Sequence, residues 1–286
     1  KAVVAAALDC GITLFDTADT YGEGRSEEFL GQALGRRRDE VVVATKFGMD
    51  MRGALGPDWG ARGSRRYVRA AVEASLRRLG TDRIDLYQYH APDHVTPMEE
   101  TLAALTELVS EGKVLYVGSS NLSAWEVAHA EWAARTSGSV RFVSAQNQYS
   151  LLDRRVEAEL TPACLAYGIG ILPYFPLANG LLTGKYRRGQ PPPPGTRLAA
   201  NPAALDEAAF DRLEPIVELA RRLGRSLLEV AVAGLAAQPA VCSVIAGATR
   251  PEQVRANAEA GAWEPSGEEL AELDRAAPSR LPPHLR

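Results

Sequence analysis

Short runs of β-branched and aromatic residues alternate with stretches of helical periodicity along the whole chain. The runs Ile12–Thr17, Val41–Lys46, Ile84–His90, Val114–Ser119, Phe142–Asn147, Ile169–Phe175 and Cys242–Ala246 read as strands. Most are nearly continuous in apolar residues, the pattern of a strand covered on both faces. The helices between them carry start and stop signals. Thr96 and Glu99 stand at capping-box spacing, with Pro97 at the first helical position and Gly112 beyond the last turn. Ser123 with Glu126 and Ser226 with Glu229 repeat that spacing. After Ser64, the residues Val68, Val72, Leu76 and Leu79 recur at helical intervals, and Gly80 ends the run. Strict strand–helix alternation predicts a parallel sheet, either closed into a barrel or open and doubly wound.

Two connections are longer than such folds usually need. One is Gly48–Gly63, with Met49, Met51 and Trp59; the other runs from Leu177 to about Leu205 and holds Pro191–Pro194. Strand-like sequence resumes after the prolines, so they read as a loop within one domain rather than a linker. Residues 1–286 are therefore expected to form a single α/β domain, and a (β/α)8 TIM barrel of about 250 residues is of ordinary size. A chain 46% hydrophobic and 24% charged is an ordinary globular protein. Its net charge of −4 argues against nucleic acid or a membrane surface as partner. No apolar run approaches the ~20 residues of a membrane span and no signal-peptide pattern opens the chain, so a cytoplasmic location is expected. Cys10, Cys164 and Cys242 are odd in number, far apart and in apolar surroundings. They read as buried thiols in a reducing compartment, with no disulfide or metal centre expected.

Nearly every strand candidate ends in a polar or ionisable group: Asp16, Lys46, His90, Asn121 just past its strand, Gln146 and Tyr174. Taken singly, each has an ordinary structural reading, such as a salt-bridge partner or a residue at the edge of the core. Six at the same end of successive strands mark an active-site face, since barrel enzymes place their chemistry at the C-terminal ends of strands. The string FDTADTYGEGRSEEFLG, from Phe15 to Gly31, is the most distinctive: Asp16 closes an apolar strand, Tyr21 follows in a loop, and Ser26 with Glu27 and Glu28 opens a helix.

With Lys46 in VVVATKFG and His90 in DLYQYH, this string resembles the aldo-keto reductase superfamily. The strings VGSSN (Val117–Asn121), QNQYSLLDR (Gln146–Arg154), YFPLANGLLTGKY (Tyr174–Tyr186) and VIAGATRPEQV (Val244–Val254) match in order across the chain. YSLLDR and GLLTGKY look like the bacterial and potassium-channel β-subunit branches. The resemblance implies reduction of an aldehyde or ketone to an alcohol with hydride from NADPH, and a catalytic tetrad of Asp16, Tyr21, Lys46 and His90. A phenol is a weak acid, with an unperturbed pKa of ~10, and a nearby ammonium favours its phenolate. On that logic Lys46 activates Tyr21, Asp16 orients Lys46, and His90 hydrogen-bonds the substrate oxygen. His94, His129 and His284 match no motif position.

The resemblance also implies a cofactor site. Ser120, Asn121 and Gln146 would bind the nicotinamide carboxamide, and Tyr174 would stack on the ring. Gly247, Thr249, Arg250, Gln253 and Asn257 would hold the adenosine 2′-phosphate and adenine at a helix start where Thr249 and Glu252 stand at capping-box spacing. Phe175 occupies a position commonly held by serine, which moves the expected pyrophosphate contact elsewhere. Gly22 and Gly24 make a G-x-G, but Glu27 replaces the third glycine of the dinucleotide fingerprint, so a doubly wound dehydrogenase is disfavoured. The substrate pocket is expected between Tyr21, Phe47, His90 and the two long loops, with Trp59 as a lid residue. Two other activities compete: a cofactor-sensing regulatory subunit with little turnover, like the channel β subunits, and a lyase using Lys46 as a Schiff base. Finally, Lys1–Asp9 reads as a helix ending at Gly11, and only seven strand candidates can be counted. A closed barrel needs eight, so the chain is expected to lack a first strand within about 40 upstream residues.

Overall fold

The computed structural model of the chain describes residues 1–200 and 205–279. His284 and the end of the Leu177–Leu205 loop, at 201–204, lie outside the described residues. The elements of the first part alternate as the pattern predicts: α1 (Ala2–Asp9), β1 (Leu14–Asp16), α2 (Arg25–Leu34), β2 (Val42–Phe47), α3 (Arg65–Leu79), β3 (Ile84–Tyr89), α4 (Met98–Ser110), β4 (Val114–Ser120), α5 (Ala124–Ser137), β5 (Ser144–Gln146), α6 (Leu160–Tyr167) and β6 (Gly170–Ile171). Among the described residues the six strands make one sheet in sequential order, and β1 to β5 pair in parallel. This is part of a (β/α)8 barrel. After β6 come α7 (Glu207–Arg222), α8 (Leu227–Ala236), α9 (Pro251–Ala260) and α10 (Gly267–Ala276).

The chain divides into two units, Lys1–Gln146 with Ala163–Gly170 and Asn147–Pro162 with Ile171–Arg286. In the first, strand alternation sorts the side chains. Val43, Phe47, Tyr87 and Tyr89 turn outward, and they are buried like Val68, Val72 and Leu76 of α3 and Leu102, Leu105 and Leu108 of α4. Each such aliphatic side chain contributes about 1.5–3 kcal/mol of burial. The opposite face carries Asp16, Ala44, Lys46, Leu86, Gln88, Gly118, Ser120 and Gln146 in register: Ala44 opposite Leu86, Lys46 opposite Gln88, Gln88 opposite Gly118, Ser120 opposite Gln146. Helix α3 starts on Ser64, whose hydroxyl accepts from the Tyr67 amide, and stops at left-handed Gly80. In the second unit, Leu182, Phe210, Leu213, Ile216, Leu219, Val230 and Leu273 form a separate core. Arg154 ties its ends together, with ion pairs to Glu157 and Asp274 and a bond to the Ala277 carbonyl.

Five local expectations change. Of the three thiols expected to be buried, Cys164 is, whereas Cys10, at the end of α1, and Cys242 are exposed. Cys242–Ala246 is not a regular strand: it follows Ile171–Pro173 through the bonds Cys242 N to Ile171 O and Ile245 N to Pro173 O, so the sheet holds six strands where seven were expected. Its ladder is one-sided and interrupted at Pro173, which has no amide to give. Helix α4 is capped differently as well. Thr96 gives its hydroxyl and amide to Asp93, leaving Pro97 as N-cap. Helix α2 starts at Arg25, with Gly24 as its N-cap, rather than at Ser26. Phe47 is wholly buried, stacked on Tyr89 at 5.2 Å, and is no pocket wall.

Candidate active site

The site in the first unit begins with strand polarity. Asp16, Lys46, Gln88 and Gln146 alternate onto one face at the C-terminal ends of β1, β2, β3 and β5, and that face has little water to satisfy them. They satisfy one another. Lys46, fully buried, gives its ammonium to Asp16 Oδ2 at 2.6 Å, to the Thr17 carbonyl at 2.9 Å and to Tyr21 Oη at 3.4 Å. Asp16 Oδ1 accepts from Gln88 Nε2 at 3.1 Å and Gln146 Nε2 at 2.8 Å, and Gln146 also reaches Gln88 Oε1 at 3.2 Å. Three donors thus fix one carboxylate, which in turn fixes the lysine.

Tyr21 lies on the turn between β1 and α2, which is pinned by Thr17 N to Ala44 O and Asp19 N to Lys46 O. Its ring is 42% exposed on one side and lies 4.9 Å from the Lys46 ammonium on the other. His90, just past β3, meets the Tyr21 ring edge-on with centroids 5.9 Å apart. Burial first, and then the Lys46 charge, push the His90 pKa down from 6.5 to about 4. The imidazole is therefore neutral at physiological pH, with a buried Nδ1 that has no hydrogen-bond partner among the described residues. A cavity of about 330 Å³ opens beside the Tyr21 turn, lined by Thr20, Gly22, Arg25, Met51 and Arg52 among others.

The structure thus brings together all four tetrad residues expected from the sequence. Ser120 and Asn121 end β4 nearby: Asn121, at positive φ, gives its side-chain amide to the His90 carbonyl at 2.9 Å and to Ser120 Oγ at 3.1 Å. Sequence reasoning missed Gln88. Its signal was its place two residues before His90 in DLYQYH, on the same strand face as Lys46. Trp59, expected as a lid residue, is exposed, with its ring 5.0 Å from the Arg66 guanidinium.

The other expected cofactor residues belong to the second unit. Tyr174 is half-buried and packs edge-on against Phe175, which adopts a positive φ and has the Arg197 guanidinium 5.7 Å from its ring. Gly247, Thr249 and Arg250 are exposed ahead of α9, and Gln253 and Asn257 follow on one helical face. The cap differs from the expected Thr249–Glu252 pair: Gln253 Oε1 accepts from Thr249 N, Thr249 Oγ1 and Arg250 N, with Arg250 as N-cap and Pro251 next. Each set has its own donor chemistry: in the first unit hydroxyl and amide groups at the strand ends suit a carboxamide, and in the second an arginine at a helix start suits a phosphate.

A buried Lys–Asp pair behind an accessible tyrosine, at the strand ends of a partial (β/α)8 barrel, can pass a proton to a substrate oxygen. The chain belongs to the aldo/keto reductase family, whose model matches residues 1–278. Its relatives include a probable voltage-gated potassium channel subunit beta of Oryza sativa subsp. japonica, 38% identical over 272 residues that cover 91% of this chain and 81% of that one. L-glyceraldehyde 3-phosphate reductase of Escherichia coli (strain K12) is 36% identical over 289 residues, covering 96% and 82%. Versiconal hemiacetal acetate reductase of Aspergillus parasiticus is 35% identical over 263 residues, covering 84% and 75%. Among the described residues no helix is long and apolar enough to cross a membrane.

Proposed function

We propose that this chain reduces an aldehyde or ketone to an alcohol with NADPH, with Tyr21 as the proton donor. The observation that carries the reading is the continuous contact from Asp16 through the Lys46 ammonium to Tyr21 Oη. NADPH, when bound, supplies the hydride. The substrate oxygen is met by Tyr21 and by the neutral His90, which can donate a hydrogen bond without competing as a charge. As Tyr21 gives up its proton, the buried ammonium of Lys46 stabilises the phenolate, and Asp16 keeps that ammonium in place. Ser120, Asn121 and Gln146 would orient the nicotinamide. The Gln146 amide nitrogen is committed to Asp16 and Gln88, which leaves its oxygen for a carboxamide. Tyr174 would stack on the ring, and Gly247, Thr249, Arg250, Gln253 and Asn257 would take the 2′-phosphate and adenine.

The test is steady-state turnover of 4-nitrobenzaldehyde with NADPH. Tyr21→Phe should lower kcat by roughly 10²–10⁴, with NADPH affinity little changed. More than half the wild-type turnover in the variant would overturn the assignment. The channel-subunit relative favours a second reading, a cofactor-sensing regulatory subunit, for which the unmodified chain would turn over poorly with every carbonyl offered. A Schiff-base lyase is disfavoured by the three partners already held by the Lys46 ammonium.

A further inference from the structure

Three residues beyond Asp16 the same turn buries a second carboxyl group that the chemistry above does not use. Asp19 is fully buried, and no side chain hydrogen-bonds either of its oxygens. Its backbone amide is the one that bonds the Lys46 carbonyl, at 3.2 Å, two residues before Tyr21. The groups that act on it electrostatically are Glu27 of α2, Arg78 and Tyr67 of α3, Lys46 of β2 and Tyr87 of β3. Among the described residues none of them hydrogen-bonds it. Arg78 is bound to Glu27 at 2.6 Å, whose other oxygen accepts from Thr45 at 2.6 Å. The Lys46 ammonium is engaged by Asp16, Thr17 and Tyr21. The Tyr87 hydroxyl is itself buried without a partner. Of the two buried carboxyl groups, Glu27 alone holds the Arg78 guanidinium. A carboxylate in the remaining place would be an uncompensated buried charge beside another of the same sign.

We propose that Asp19 is a positioning residue that works as the neutral acid, holding the turn in the register that sets Tyr21 against Lys46, and that losing its proton releases that turn. The inference rests on the proposed role of Tyr21. It agrees with the direction in which burial, then Glu27, move the Asp19 pKa, from 3.8 up to about 7, against weaker opposition from the Thr20 amide, Arg78 and Lys46. The sign follows: the folded protein keeps a proton that the unfolded chain has lost. The turn is therefore firm below about pH 7 and loosens as pH rises through it.

Asp19→Asn keeps the shape and cannot ionise. In the full chain, with NADPH and 4-nitrobenzaldehyde, wild type and variant should have similar kcat/KM at about pH 6. By about pH 8 the wild type should have fallen roughly tenfold relative to the variant, the neutral fraction expected one pH unit above the midpoint. A purely structural role would shift both profiles equally, so parallel profiles overturn the proposal. Infrared spectroscopy of the wild type covers the case in which the variant does not fold. A protonated-carboxyl stretch should be present at about pH 6 and fade by about pH 8, and its absence at the lower pH overturns the proposal too. Full turnover in Tyr21→Phe would remove the role of Tyr21 while leaving that infrared band in place, so the two failures are distinguishable.

Discussion

Lowering the pH should charge His90 late and at a cost to the fold. The imidazole is 9% exposed, and its pKa falls from 6.5 in the open chain to about 4 in the folded one. Between those values the unfolded chain binds a proton that the folded protein refuses. His90 therefore leaves stability unchanged above pH 6.5, erodes it from there down to about pH 4, and has no further effect below. The full difference corresponds to about 3 kcal/mol, at about 1.4 kcal/mol per pH unit. Urea unfolding at about pH 7.5 and about pH 4 reads it directly, with His90→Gln as the reference that cannot titrate. The wild type should lose about 3 kcal/mol more than the variant over that interval, since other acid-sensitive groups are common to both. Equal losses would refute the argument, because a solvated or paired imidazole would then be titrating near its ordinary value. Turnover gives a second check: kcat/KM should show no acid limb at pH 6.5 from this residue.

Arg250→Ala should weaken NADPH binding by about ten- to a hundredfold and leave NADH unchanged, as expected for one charge-assisted contact of roughly 1.5–3 kcal/mol. Fluorescence titration with both cofactors decides it, and equal binding of the two by the unmodified chain would sink the assignment. Gly31→Ala should destabilise the protein by about 1–3 kcal/mol, because a Cβ there would stand 2.2 Å from the Leu79 carbonyl, where α2 passes the end of α3. A variant melting like wild type would mean that the two helices part more easily than their contact suggests.

Parallel order and the tetrad were legible because both repeat: apolar runs at regular intervals, each ending in a polar group. What the sequence concealed depended on competition between neighbours. Thr96 has capping chemistry, but Asp93 lies three residues away, and its two carboxylate oxygens take both the hydroxyl and the amide. Thr249 and Glu252 have the right spacing, yet Gln253 reaches both amides ahead of α9 from one residue further on. Cys242–Ala246 has strand composition but finds partners only along Ile171 and Pro173. Phe47 follows a catalytic candidate in the chain, and a period of two sends consecutive side chains to opposite faces. The same rule would have found Gln88 from His90 and Lys46, since both lie on its face.

Asp16 and Asp19 sharpen the point, because they share one turn, one residue type and nearly complete burial. Asp16 sits on the face where β2, β3 and β5 present an ammonium and two amides, and all three donate to it. Asp19 is bonded by no side chain among the described residues, and the Arg78 guanidinium that acts on it electrostatically is bound to Glu27. The chemistry of each follows from the count of donors within reach rather than from the string FDTADTYG itself. A carboxylate with three donors can hold a lysine in place through a reaction cycle. A buried carboxyl group that no side chain bonds is at rest only while it keeps its proton. The turn that carries Tyr21 is therefore fixed at one end by a charge and at the other by the absence of one.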